Sequence, residues 1–258
     1  MVFIASTFIR IIIVIVFIAL WETLPSIGLV NELTAPRFSM VLIRAGELLN
    51  PYTSSSIVPL GFYTHLSVTL FEIGVAFLIT VFVAIPLGFL IGGFRLVTQI
   101  YEPLIYLIYA FPSVALYPLV VIILGFGPPS KIVFGFFLGF FPLILNTIAA
   151  LRSIRPSYIL VAHLFGCRKI QLLQKIIIPA SASFIISGIR LALAFNIIGV
   201  LFGEIVASSI GLGFVITSAT YKLDAPTEYA AIIISLTLIY IILESISFVQ
   251  KRVFERED

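Results

Sequence analysis

Apolar residues along this chain do not alternate with polar ones; they come in long blocks. Residues 11–20 hold no polar side chain at all, and 73–94 and 132–151 hold no charged one. A helix needs about 20 mostly apolar residues to cross a bilayer. Six stretches meet that length: about 7–27, 65–94, 101–125, 132–151, 180–206 and 229–249. Barrel strands would instead be segments of about ten residues with alternating polarity, and that period is missing. The pattern predicts an all-α membrane protein with six transmembrane helices in a single domain over 1–258. The first stretch has a rival reading as a signal peptide, because Arg10 precedes its apolar run. No small-residue cleavage motif follows, only Trp21-Glu22-Thr23-Leu24-Pro25, which favours a retained anchor.

Two connecting regions are long enough for structure of their own. Residues 25–61 carry Pro25, Pro36, Asn50-Pro51, the polar run 53–56 and Pro59, and read as turns with one short helix near 40–49. In residues 152–179, Pro156 suits the first turn of a helix, where its missing N–H is no loss. Gly166 suits a left-handed helix end. A second helical pattern over 168–178 puts Ile170, Leu173, Ile176 and Ile177 on one face. Helix, glycine turn, helix makes this a compact projection.

Composition closes off other classes. Hydrophobic residues make up 61% and charged ones only 10%, with 15 basic and 12 acidic side chains. Soluble domains carry about 25% charged residues, so a water-soluble globule is excluded, and disorder needs the opposite bias. A single cysteine, Cys167, leaves no disulfide framework and no Cys-based zinc site. No basic stripe interleaved with aromatics points to nucleic acid.

Where the charges fall sets orientation, because Lys and Arg collect in cytoplasmic loops. With the N-terminus inside, Arg10, Arg95, Arg152, Arg155, Arg168, Lys169, Lys175, Lys251, Arg252 and Arg256 face the cytoplasm. Arg37, Arg44, Lys131 and Lys222 then lie outside, and both termini are cytoplasmic. His65 and His163 fall on opposite sides, so no imidazole pair forms. The run Gly125-Phe126-Gly127-Pro128-Pro129-Ser130-Lys131 lacks the Gly-Lys step of a phosphate-binding loop. No catalytic constellation is present, so the chain reads as no enzyme, without a cofactor of its own. Of Glu72, Glu102, Glu204 and Glu244, most lie towards segment ends, where side chains snorkel to the interface. No midplane acid–base pair and no inverted repeat is visible, which counts against the alternative of a self-sufficient ion-coupled transporter or channel.

Four residues carry two readings each. Arg190 either snorkels to phosphates or is a fixed charge that packs helices or meets an anionic solute. Glu204 stands 14 residues later, about 21 Å along one helix. Its partner must therefore come from another segment, in a gating or a structural role. Pro112 and Pro118 free backbone carbonyls, either as plain kinks or where the chain lines a solute path.

At residues 152–213 the sequence resembles a known family. Leu160-Val161-Ala162-His163-Leu164-Phe165-Gly166, followed by Ile176-Ile177-Ile178-Pro179, resembles the E-A-A-x-x-x-G…I-x-L-P cytoplasmic loop of ABC-importer permease subunits. Phe141-Pro142-Leu143-Ile144-Leu145-Asn146-Thr147, Ser187-Gly188-Ile189-Arg190-Leu191-Ala192-Leu193, and Gly203-Glu204 with Gly211-Leu212-Gly213 are similar to the nitrate/sulfonate/taurine-type branch. So are Pro112…Pro118-Leu119 and Gly125-Phe126-Gly127, and the likeness runs from about 65 to 249.

The resemblance implies a type I importer permease (MetI-like) of a bacterial or archaeal inner membrane, embedded in lipid and paired with a second permease copy. It implies a cytoplasmic dimer of ABC ATPases that bind the ATP, and an external solute-binding protein. It also implies that residues 152–179 are the coupling loop, with Leu160, Val161, Ala162, His163, Gly166, Arg168 and Pro179 at the ATPase contact. Pro112, Pro118, Arg190 and Glu204 are then candidates for the translocation path or gate. The solute would be small, with anions such as sulfonate, nitrate or bicarbonate in view. Four departures stand out: Leu160 replaces the family's Glu and Val161 its first Ala, Glu72 stands where the second span usually has Arg, and Ala76 lies near the place of a usual Gly.

Overall fold

A computed structural model describes residues 2–51, 58 and 60–254. The expected polar turn at 53–56, Pro59, Arg256 and the side chains of Lys169, Lys251 and Arg252 lie outside the described residues. Every regular element described is helical, in the order α1 (Val2–Ser26), α2 (Phe38–Leu49), α3 (Phe62–Gly92), α4 (Arg95–Tyr109), a 3₁₀ turn (Ser113–Leu116), α5 (Tyr117–Leu124) and α6 (Pro128–Arg152). After these come α7 (Pro156–Leu164), α8 (Lys169–Leu172), a π turn (Leu173–Ile177), α9 (Ile178–Ala207), α10 (Leu212–Tyr221) and α11 (Ala225–Phe254). Five stretches are long and apolar enough to cross a membrane, and a bent pair makes a sixth.

The surface is that of a protein made for lipid. Phe82 is 73% and Ile122 79% exposed, while the buried set includes Glu72, Lys131, Asn196 and Glu204. Apolar side chains lose nothing against acyl chains, so polar groups and close backbone packing must hold the helices together.

The chain folds as two compact units. In the first, residues up to 68 with 209–238, Trp21 anchors α1. Its Nε1 donates to the Pro36 carbonyl at 3.0 Å, and its ring meets Phe38 and Tyr229 at 5.3 and 5.9 Å. Asp224 caps α11 by accepting from the Thr227 N–H at 3.1 Å, and it also pairs with Arg44 at 3.3 Å. His65 accepts the Gly211 N–H on Nδ1 at 3.0 Å and stacks on Phe214.

The second unit, residues 69–208 and 239 onward, is organised on α6 and α9. One core cluster joins Ala84, Ile105, Phe141, Ile144, Ile148 and Ala192. Another joins Ile73, Ala76, Leu193, Ile197 and Val200, with Ile239, Ile242 and Ile246 of α11 against it.

The structure corrects several expectations. The third span is no continuous helix: α4 and the Ser113–Leu124 segment meet at 79°. Pro112 sits at the bend, and Pro118 is in the first turn of α5, where a proline is harmless. The break is thus sharper than a kink. Lys131 belongs to no external loop, because α6 starts at Pro128 and carries it into the interior at 0% exposure. Glu72 and Glu204 do not snorkel; both are 0% exposed. Glu102 is held by Arg152, Nη1 to Oε1, at 2.9 Å.

Candidate functional site

Residues 153–177 form a short structured connection between α6 and α9. Pro156 opens α7. Its C-terminus closes with the Gly166 N–H on the His163 carbonyl and the Cys167 N–H on the Ala162 carbonyl, both at 3.0 Å. That pair of bonds is the Schellman closure, and it needs a left-handed residue, which Gly166 provides at φ +69°. Beyond the turn, the Gln171 side chain accepts the Arg168 N–H at 2.9 Å and α8 starts. No break separates α8 from α9: the π turn Leu173–Ile177 passes directly into Ile178. The second helix of the loop, expected over 168–178, is therefore an extension of α9. Pro179 stands exposed in the first turn of that helix.

The loop buries Ala162 at 3% exposure and leaves its larger apolar side chains out. Leu160 is 62%, Leu164 78% and Phe165 85% exposed. Val161, His163 and Arg168 are exposed as well.

Below the loop, α6 and α9 approach at small residues. A Cβ on Gly139 would stand 2.8 Å from the Ala192 carbonyl oxygen and 2.8 Å from Asn196 Cγ, so only glycine permits this spacing. Asn196 exploits the gap: its Nδ2 donates to the Gly135 carbonyl at 2.8 Å and to Thr80 of α3 at 2.9 Å. Three helices are thereby tied at one buried amide.

A second polar node lies at the start of α6. Lys131 Nζ is 2.6 Å from Glu72 Oε1 on α3 and 3.2 Å from Ser208 Oγ after α9. Glu204 accepts the Thr69 hydroxyl at 2.6 Å. Tyr117 donates its O–H to the Gly203 carbonyl at 3.0 Å and packs on Phe134 and Phe202.

Of the sequence-derived candidates, the loop residues share one projection, while Glu204 lies in the buried node. Arg190 is half-buried further back on α9, and Pro112 and Pro118 are exposed at the break. Sequence reasoning missed Lys131, Thr69, Ser208 and Asn196. For Lys131 a signal existed, since Pro128-Pro129 after Gly127 marks a helix start four residues before it would otherwise be drawn. Among the described residues, no group of three His, Cys, Asp or Glu is placed to hold a metal ion.

Residues 84–257 match the family described as "Binding-protein-dependent transport system inner membrane component". SsuC of Bacillus subtilis, a permease protein named for aliphatic sulfonates transport, is 28% identical over 85% of this chain and 76% of its own length. The taurine transport system permease protein TauC of Escherichia coli is 27% identical over 92% of this chain and 85% of its own. The riboflavin transport system permease protein RibX of Chloroflexus aurantiacus is 33% identical over 56% of this chain and 55% of its own.

Proposed function

The chain belongs to the family of binding-protein-dependent transport system inner membrane components and is a permease subunit of an ABC importer; on that premise we propose that residues 156–177 receive a separate ATPase and that the α6–α9 pair carries its motion to the solute path. The observation that carries this reading is the apolar crown of the projection. Leu160, Leu164 and Phe165 are exposed on a short rigid element between two spans, and exposed apolar groups of that kind mark docking surfaces. Where the family's Glu would offer a carboxylate, Leu160 makes the contact an apolar one.

Mechanically the loop is well placed. Only residues 153–155 separate α6 from α7, and α8 passes into α9 through a single π turn. A helix pushed at this point tilts as a body, and the Asn196 node makes α3, α6 and α9 follow together. ATP is bound and hydrolysed by the partner chains, and this chain contributes no cofactor. Two permease copies enclose the path, both termini are cytoplasmic, and an external solute-binding protein delivers the cargo. Alternating access follows from closure of the ATPase dimer. Pro112 and Pro118 at the bent span and Arg190 on α9 face the path.

For cargo we propose a small solute with a compact anionic group, of the sulfonate class. SsuC and TauC, named for sulfonates and taurine, both cover more than three quarters of their length with this chain. The riboflavin name of RibX marks how far cargo varies on one scaffold.

The test is co-expression with the cognate ATPase and binding protein, followed by reconstitution into liposomes. L164D/F165D should abolish ATPase co-purification and ATP-dependent uptake of radiolabelled taurine or ethanesulfonate, while the variant still melts like the parent. Retained co-purification would refute the docking role. Uptake by the isolated chain without ATP would favour an ion-coupled transporter instead.

A further inference from the structure

The helix that carries the projection into the membrane changes its period once. Within α9 the buried residues Ser181, Ile185, Gly188 and Ala192 recur at steps of three or four, as an α-helix requires. Upstream, the stripe runs through half-buried Ile177 and then steps back five residues to half-buried Leu172. Leu173 and Gln174, where a step of four or three would land, are both exposed. The five-residue step is the π turn Leu173–Ile177, in which the Ile178 N–H donates to the Leu173 carbonyl instead of that of Gln174.

Pro179 supplies the cause. Helical backbone runs from Lys169 to Ala207 without a break, so this proline lies within helix on both sides. It has no N–H for the Lys175 carbonyl four residues earlier, and its ring crowds that oxygen. A π turn takes up one extra residue and widens the helix there, which clears the ring while both flanks stay helical. Compared with an uninterrupted α-helix, everything before Leu173 is rotated by about 100°, the share of one residue at 3.6 per turn. What is rotated is the projection with Leu160, Leu164 and Phe165. Below the turn α9 is fixed against α6, since a Cβ on Gly188 would stand 2.7 Å from Asn146 Cβ.

We propose that Pro179 is a positioning residue: by holding the π turn in place, it sets the rotational phase between the projection and α9. A push on Leu160, Leu164 and Phe165 then tilts α9 together with α6 instead of twisting the projection about its own axis. The transport consequence rests on the docking role given to residues 156–177; the register itself does not.

Two measurements on the full chain test it. The first is the distance between spin labels on Y158C of α7 and S187C of α9, two exposed positions, in a C167S background, with labelled chains diluted among unlabelled ones in nanodiscs. P179A restores the N–H, lets the helix run on as α and shifts that distance. Deleting Gln174 from P179A removes the extra residue, so a regular α-helix joins the same two faces and the distance returns to the parent value. The second is taurine uptake per ATP hydrolysed by the complex with ATPase and binding protein in liposomes. It should lose most of its value in P179A and recover in P179A lacking Gln174, whereas a proline of merely local importance would leave the deletion as further damage. P179L, which also restores the N–H, serves where P179A does not assemble. The proposal is overturned if the distance is unchanged by the substitution, if deletion of Gln174 does not bring it back, or if uptake per ATP stays at the parent level. Failure of docking shows elsewhere, as retained co-purification of L164D/F165D, and leaves the label distances to decide the register.

Discussion

Substituting Gly139 by Ala adds one methyl group at the tightest point between α6 and α9. The new Cβ would stand 2.8 Å from the Ala192 carbonyl oxygen, whereas ordinary van der Waals contact begins at 3.4 Å. The helices must therefore part by about 0.6 Å, and the opposing atom is backbone, which cannot rotate away. Overpacking of this kind costs about 1–3 kcal/mol. The same parting stretches the two Asn196 bonds, to Gly135 and Thr80, each worth about 0.6 kcal/mol in a membrane. Together G139A should lose about 2–4 kcal/mol. At about 2–4 °C per kcal/mol for a chain of this size, melting in nanodiscs, followed by scanning fluorimetry, should fall by roughly 5–15 °C. N196A alone loses the hydrogen bonds but removes half of the obstruction to a methyl at 139. The double variant G139A/N196A should therefore be less damaged than the sum of the two, by about 1–2 kcal/mol. Strict additivity, or a G139A protein that melts like the parent, would refute the claim that this glycine and this amide define the spacing of the pair.

Two further outcomes follow from single contacts. Y117F keeps the ring against Phe134 and Phe202 and loses only the bond to Gly203; it should cost about 1 kcal/mol, and Y117A about 3–5 kcal/mol from the cavity, in the same melting assay, so equal losses would contradict the packing account. D224A removes the cap from α11 and the partner of Arg44; it should cost about 1 kcal/mol, and D224N, which can still accept the Thr227 N–H, should recover most of it.

The segments that cross the membrane were legible because their signal is local: a block of apolar residues cannot be solvated, whatever packs beside it. The loop was legible for a related reason. Pro156 and Gly166 each impose one backbone geometry on their own position, so α7 and its left-handed end follow from two residues. Continuity between α8 and α9 was not legible, because Pro179 suggests a helix start while the π turn at Leu173–Ile177 absorbs the change in register without a break. The buried node escaped for another reason. Lys131 follows a Gly-Pro-rich stretch that looks like an external loop, and Glu72 and Glu204 sit where snorkelling would be harmless. Only the folded chain brings Lys131 of α6 onto Glu72 of α3, and Glu204 of α9 onto the Thr69 hydroxyl of α3, so that all three are buried with a partner.

The sequence by itself determined that this chain is helical, lies in a membrane and has a structured projection between two of its spans. Block length, charge scarcity and a few backbone-restricting residues act through neighbours in the chain. Tertiary structure decided which polar residues are buried together and how closely α6 and α9 approach. In lipid an apolar face has no preferred partner, so the choice falls to small residues and hydrogen bonds. Those act between residues such as Gly139 and Asn196, or Lys131 and Glu72, which only the folded chain brings within reach.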